Sequence, residues 1–333
     1  MAQKDLDLPA MIRGTLVAST LFSAWFFLNL RNFSDSTSRG EELDAMSNLA
    51  KTIQTKRKNQ LRRACRNLGL SPSNGTASLF DDPDKLKHLY VLPKSKAVYC
   101  SVPKVGCTNW KRILALINDF DDYIDNQSDP HVFARENFET LGSMSASRAK
   151  EVLRTHTKFL FVRNPYSRLL SAFKDKFRPI AKEMYTSEVY EWLLRNAPQI
   201  AQRNDTPSLT FEQFLTFYAN MTGEKNEHYQ DMYRLCLPCH IDYDFIGKYE
   251  TLETDARNVL RLIHAPAGVG YPNRRKPPTF SSNAARISEA YSKISDQQLR
   301  KLSEYSGIIR DSALFGYSSE SFMRRINLQS SYD

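Results

Sequence analysis

Residues 103–109, Pro103-Lys104-Val105-Gly106-Cys107-Thr108-Asn109, bring a lysine, a glycine and a threonine into one short segment. A turn of this composition, ending a strand and opening a helix, offers backbone N–H groups and the positive end of the helix to an anion. Lys104 adds a full charge there, and Thr108 adds a hydroxyl. A second such place is Arg163-Asn164-Pro165, with Ser171 on the helix expected to follow. Arginine supplies a permanent forked cation, and serine a neutral hydrogen bond. The GxxxxGK[S/T] spacing of nucleoside-triphosphate loops does not occur, which disfavours an ordinary NTPase or P-loop kinase.

Strands and helices must hold these residues in place. Ala97–Val102 has strand composition and runs into the first turn. Thr108–Asp119 has helical spacing, with Trp110, Ile113, Leu114 and Ile117 on one face. Lys158–Val162 and Ser167–Phe177 repeat the pattern around Arg163, with Leu169, Leu170 and Phe173 as the buried stripe. Thr210–Met221, Glu253–His264 and Ser295–Tyr305 read as helices, the last opened by a Ser295…Gln298 capping box. Tyr243–Lys248 reads as a strand. Alternation of strand and helix predicts an α/β fold, a P-loop-like parallel sheet flanked by helices.

The pattern Pro103-Lys104-x-Gly106-x-Thr108-x-Trp110 resembles the 5′-phosphosulfate loop of sulfotransferases that use 3′-phosphoadenosine 5′-phosphosulfate. Arg163 with Ser171 resembles the same family's 3′-phosphate motif. The runs VPKVGCTNWKR, FVRNPYSRLLSAFKDKF and LCLPCHIDYDFIGKYETLETDA narrow the resemblance. They are similar to Golgi carbohydrate sulfotransferases acting on chondroitin, dermatan and the human-natural-killer glycan epitope. The similarity runs from about residue 86 to the C-terminus. Tyr229 after His228, Ser312 and Asn164 depart from the family's usual residues, and these departures bear on the acceptor more than on activity.

The resemblance implies a sulfotransferase fold and an acidic glycan or proteoglycan acceptor, with no metal requirement. The 4-hydroxyl of GalNAc in chondroitin or dermatan is the leading acceptor. The 3-hydroxyl of glucuronate in the natural-killer epitope is the alternative, and so is a relative that binds without turnover. Sulfuryl transfer needs a base for the attacking hydroxyl and stabilisation of the leaving phosphate. Lys104 suits the second role. Histidine suits the first, and the chain has 6. His131, in Pro130-His-Val-Phe133, resembles the family's base-carrying His-Val element. His228, with Glu227 beside it, is the second candidate, and either histidine instead orients the acceptor. His88, His156, His240 and His264 stand in no motif. Arg168, Lys174, Lys176 and the loop Arg274-Arg275-Lys276 are read as contacts to the 3′-phosphate or an acidic polysaccharide, or as solvated basic faces.

Composition sets the surroundings. A net charge of +9 over 333 residues favours an acidic partner, and nucleic acid has only this charge behind it. The uncharged run Gly14–Leu30 lies between Arg13 and Arg31, which predicts a transmembrane signal-anchor after a cytoplasmic tail, 1–13; the alternative is a cleaved signal peptide, but no convincing small-x-small cleavage site follows the run. Sequons at Asn32, Asn74, Asn126, Asn204 and Asn220 all follow this run and predict a lumenal, glycosylated C-terminal part. The expected protein is a single-pass type II Golgi membrane protein, with a stem over 31–85 and a catalytic domain over 86–333. Cys65, Cys100, Cys107, Cys236 and Cys239 are 5 in number, so at least one is free or pairs between chains. Cys236-Leu-Pro-Cys239 is read as a site of structural disulfide bonding, local or to another cysteine.

Overall fold

The computed structural model describes residues 48–71, 77–120, 129–178, 180–181, 186–201, 207–221, 225–272, 283–322 and 324. The chain divides into a unit ending at Thr55 and a unit from Lys56 on. The apolar run Gly14–Leu30 lies outside the described residues, as do Asn32, Asn74, Asn126 and Asn204. Among the described residues no helix is long and apolar enough to cross a membrane. Asn220 is exposed at the end of its helix.

The second unit is built on one sheet. Its strands are β1 (Leu89–Leu92), β2 (Ala97–Cys100), β3 (Thr157–Val162) and β4 (Phe245–Lys248), in spatial order β1-β2-β3-β4. β2, β3 and β4 run parallel, with Ala97 opposite Thr157 and Phe159 opposite Phe245. β1 folds back antiparallel on β2, an edge strand outside the expected set. β2 is buried along its whole length and β3 over its last four residues, which is why both read as apolar runs rather than alternating ones.

Among the described residues the α-helices of five residues or more are α1 (48–67), α2 (Cys107–Ile117), α3 (Pro130–Asn137), α4 (Ala146–Thr155), α5 (Pro165–Lys176), α6 (Ser187–Asn196), α7 (Phe211–Asn220), α8 (Met232–Cys236), α9 (Leu252–Leu262), α10 (Ala284–Tyr291), α11 (Asp296–Glu304) and α12 (Ser306–Phe315). α2 is amphipathic for one purpose, to lay Trp110 on the sheet. Its fully buried indole meets Phe159 and Phe161 at centroid distances of 5.2 and 4.9 Å. Gly247 on β4 permits this packing, because a Cβ there would stand 2.3 Å from the Phe161 ring. A second apolar cluster joins α5, α6, α7 and the C-terminal helices around Phe214, Phe217 and Tyr291.

Local signals decide where helices begin. α5 starts at Pro165 rather than Ser167, because Asn164 caps it by accepting from the N–H groups of Tyr166 and Ser167. Only half of the Ser295…Gln298 box forms. Ser295 accepts from Gln298 N, while the Gln298 amide donates to Glu212 O and Thr216 Oγ1. β4 begins at Phe245 rather than Tyr243, whose hydroxyl donates to Cys236 O at 2.7 Å.

The compact unit begins at Lys56, well before the expected start near Leu86. Two disulfides show why. Cys65 on α1 pairs with Cys239, and Cys100 at the end of β2 pairs with Cys236. The two CxxC cysteines therefore each reach a distant partner, and Cys107 stays free and buried. Replacing Cys65 and Cys239 together by serine should lower stability by about 2–4 kcal/mol, through the denatured-state entropy that the bridge removes. Urea unfolding reads this directly; an unshifted midpoint would mean that α1 is held without the bridge.

Candidate active site

The parallel strands all end on one edge of the sheet, where ligands of open α/β sheets bind. β2 runs into Pro103 and Lys104, then Gly106, which caps α2 with φ 89°. Asn109 N and Trp110 N donate to Gly106 O at 3.1 and 3.2 Å, which closes the first turn of the helix. Glycine is required at 106 twice over, for its positive φ and because a Cβ would meet the Tyr271 hydroxyl at 2.4 Å. That hydroxyl donates to Gly106 O at 3.1 Å. Lys104 itself has φ 71°, a left-handed conformation that costs a lysine on the order of 1 kcal/mol. The Val105 side chain is fully buried in the core, so its contribution to an anion site is its backbone.

β3 runs into Arg163, which is only 2% exposed. Its Nη1 donates to Lys104 O at 2.9 Å, and its guanidinium lies 4.2 Å from the centre of the Tyr249 ring. Burial pulls its pKa down to about 10, so it stays charged at neutral pH. Ser171, 4% exposed, sits on α5 below it. The Lys104 ammonium pairs with Asp175 on the same helix at 2.8 Å. Burial lowers the Lys104 pKa, and the Asp175 carboxylate opposes that shift.

One cavity of about 1040 Å³ receives both turns and both candidate histidines. Pro103, Lys104, Gly106, Cys107, Thr108, Asn109, Arg163, Ser171, His131 and His228 all line it. His131 opens α3, where Asp129 accepts from its N–H at 2.7 Å. Its ring lies between two residues of α2, with Nδ1 3.1 Å from Lys111 Nζ and Nε2 3.1 Å from Thr108 Oγ1. An ammonium can only donate, so Nδ1 accepts and the ring proton belongs on Nε2, directed at Thr108. Burial, then Lys111, pushes the His131 pKa down to about 4. His228 is likewise pushed down to about 4, by burial and then by Lys176. Its Nδ1 is buried with no hydrogen-bond partner among the described residues.

Two residues that line the cavity, His88 and Asp175, carried no sequence signal. His88 stands in no motif, yet its Nδ1 faces Glu227 at 3.6 Å in the same cavity. Asp175 holds the Lys104 ammonium. Arg168, expected to contact the 3′-phosphate or an acidic polysaccharide or else to stand on a solvated basic face, does neither: it is 4% exposed and faces inward. It donates to Pro103 O at 3.0 Å, to Gln230 O at 2.6 Å and to Glu227 O at 3.0 Å. Arg168 therefore ties the first turn to the segment carrying His228. Among the described residues no group of three or more His, Cys, Asp or Glu side chains is placed to hold a metal ion.

The histidines make stability depend on pH. Their folded values, about 4, lie below the ordinary value of 6.5, so the unfolded chain binds more protons between these limits. Stability should be full above pH 6.5 and fall as pH drops towards 4. A His131→Gln, His228→Gln double variant should flatten thermal midpoints measured across that window; an unchanged slope would assign the dependence to other groups.

Comparison with known proteins agrees with the geometry. The profile of the Sulfotransferase family matches residues 87–318. Carbohydrate sulfotransferase 11 of Rattus norvegicus is 34% identical over 254 residues, which cover 73% of this chain and 70% of that protein. Carbohydrate sulfotransferase 12 of Mus musculus is 34% identical over 294 residues, covering 79% and 68%. Carbohydrate sulfotransferase 10 of Xenopus laevis is 32% identical over 285 residues, covering 81% and 78%. No solved structure matches the chain.

Proposed function

We propose that this chain, which belongs to the sulfotransferase family, moves a sulfuryl group from 3′-phosphoadenosine 5′-phosphosulfate to a hydroxyl of an acidic glycan. One observation carries the reading. The turn after β2 and the turn after β3 meet in one cavity, joined by the hydrogen bond from Arg163 to the Lys104 carbonyl. The first turn suits the phosphosulfate, through the backbone of 104–108, Lys104 and Thr108. The second suits the 3′-phosphate, through Arg163 and Ser171. Tyr249, Leu252 and Tyr271 line this cavity and an adjoining one of about 980 Å³, and they offer flat apolar faces to a purine.

In the transfer, the acceptor oxygen forms a bond to sulfur as the bond from sulfur to the 5′-phosphate oxygen breaks. The electron pair stays on the phosphate, where Lys104 stabilises the growing charge. The hydroxyl proton passes to a base. What supports His228 over His131 is the state of their nitrogens. The His131 lone pair is occupied by Lys111, and its proton is directed at Thr108. Neither ring nitrogen of His228 has a hydrogen-bond partner among the described residues; Nδ1 is buried, so Nε2 is the nitrogen proposed to take the proton. Lys176 and Lys104 both hold its pKa down. An anionic donor beside those cations offsets them and raises the basicity of His228 when it is needed. His131 then serves to hold Thr108 and the acceptor.

Lys87, Arg112 and Arg135 line the same cavity and suit an acceptor carrying carboxylates. The 4-hydroxyl of GalNAc in chondroitin or dermatan is the acceptor we favour, on the sequence similarity described above. The proposed setting is the Golgi lumen, with Gly14–Leu30 as the anchor. Incubation of the purified chain with labelled donor and desulfated chondroitin should give labelled polymer, with 4-sulfated GalNAc on linkage analysis. Label at another position or on another glycan would move the acceptor; no transfer to any glycan would refute the proposed activity. Lys104→Ala should reduce kcat by about two orders of magnitude or more, since it removes the main charge on the leaving group. Retention of normal turnover would take Lys104 out of the chemistry.

A further inference from the structure

β4 ends in a third turn, Tyr249–Thr251, which opens α9. It carries no cation, yet the Arg163 turn leans on it. The Tyr249 ring lies 4.2 Å from the Arg163 guanidinium. Glu250 accepts from Asn164 N at 2.9 Å and from the Tyr317 hydroxyl at 2.8 Å. Where the third turn goes, Arg163 goes with it.

The third turn is itself fixed from outside the sheet. Arg57, on α1, donates through Nη1 to Ile246 O at 2.7 Å and to Asp255 Oδ2 at 2.8 Å. Its Nη2 donates to Thr251 Oγ1 at 3.2 Å. The same Asp255 oxygen accepts from Lys248 N at 2.8 Å and from Thr251 Oγ1 at 2.6 Å. One carboxylate oxygen thus gathers the end of β4, the turn and α1. The pair is screened from water, with the Arg57 and Asp255 side chains 13% and 6% exposed. The Cys65–Cys239 bridge anchors α1 two turns further along.

We propose that Arg57 is a positioning residue for donor recognition. Through Asp255 and Thr251 it sets Tyr249, and Tyr249 sets the guanidinium that meets the 3′-phosphate. The inference rests on the donor reading above. It gives a function to a segment that composition describes only as stem and that precedes the family match beginning at residue 87.

The test uses the full-length chain and two nucleotides, adenosine 3′,5′-bisphosphate and adenosine 5′-monophosphate, which differ in the 3′-phosphate. The wild type should bind the bisphosphate more tightly. Arg57→Met should reduce that preference about tenfold, because a displaced fork loses its bidentate geometry, while affinity for the monophosphate stays nearly unchanged. Donor KM should rise more than kcat falls, and Arg57→Lys should restore part of the preference. Equal weakening of both nucleotides, or an unchanged preference, would overturn the proposal. Thr251→Val, a smaller change at the same junction, serves if Arg57→Met does not fold. It should shift the preference in the same direction, and an unchanged ratio there is equally fatal. A wild type with no preference would refute the donor reading itself, and this inference with it, before any variant is compared.

Discussion

Arg163 is a full positive charge placed almost out of water at the carboxyl edge of a parallel sheet. Such a charge persists only where fixed dipoles and π-electrons replace the lost hydration. Here the Lys104 carbonyl and the Tyr249 ring contribute to that replacement. The consequence is geometric. To satisfy Arg163, the turn after β2 must present a carbonyl inward, and the turn after β4 must present an aromatic face. Three strand ends are thereby locked into one arrangement. The left-handed backbone of Lys104 belongs to the same constraint, since the turn that offers its carbonyl to Arg163 also directs its ammonium to the cavity, where Asp175 pairs with it.

The same device recurs on either side. Arg168 donates to three backbone carbonyls and joins the first turn to the His228 segment. Arg57 joins α1 to the third turn. Buried carboxylates complement them. Asp311 caps α8 from a distance, accepting from Met232 N and Tyr233 N, while burial and neighbouring Asp231 push its carboxyl up to about 7. The cavity that results is rich in cations. Burial, and after it the nearby lysines, hold both histidines proton-free, and an arriving polyanion would offset the lysines' part of that shift. Such an arrangement suits the proposed transfer, in which negative charge would migrate from sulfate to phosphate and a proton would leave a hydroxyl.

The two turns that meet in the cavity were legible in the sequence because each is local. Gly106, Lys104 and Thr108 lie within one turn, and Arg163 and Ser171 flank a single strand-to-helix junction. The parallel sheet was legible for the same reason, through uninterrupted apolar runs at β2 and β3. What the sequence left open depends on contacts between distant residues. Nothing near Arg168 says that it faces inward, because its partners are carbonyls some sixty positions away. His88 joins the cavity only because β1 folds back beside β2. The polar composition of α1 conceals that Arg57 and Cys65 are bound to the catalytic unit. The partners of Cys236 and Cys239 likewise could not be read from their spacing.

The central claim is that the Lys104 and Arg163 turns form one donor site, divided between a 5′ and a 3′ phosphate. A crystal structure of the chain with adenosine 3′,5′-bisphosphate tests it most directly. The account predicts the 3′-phosphate within hydrogen-bonding distance of the Arg163 guanidinium and Ser171 Oγ. It predicts the 5′-phosphate on the backbone N–H groups that follow Lys104. A nucleotide bound with its 3′-phosphate away from Arg163, or outside this cavity, would contradict it.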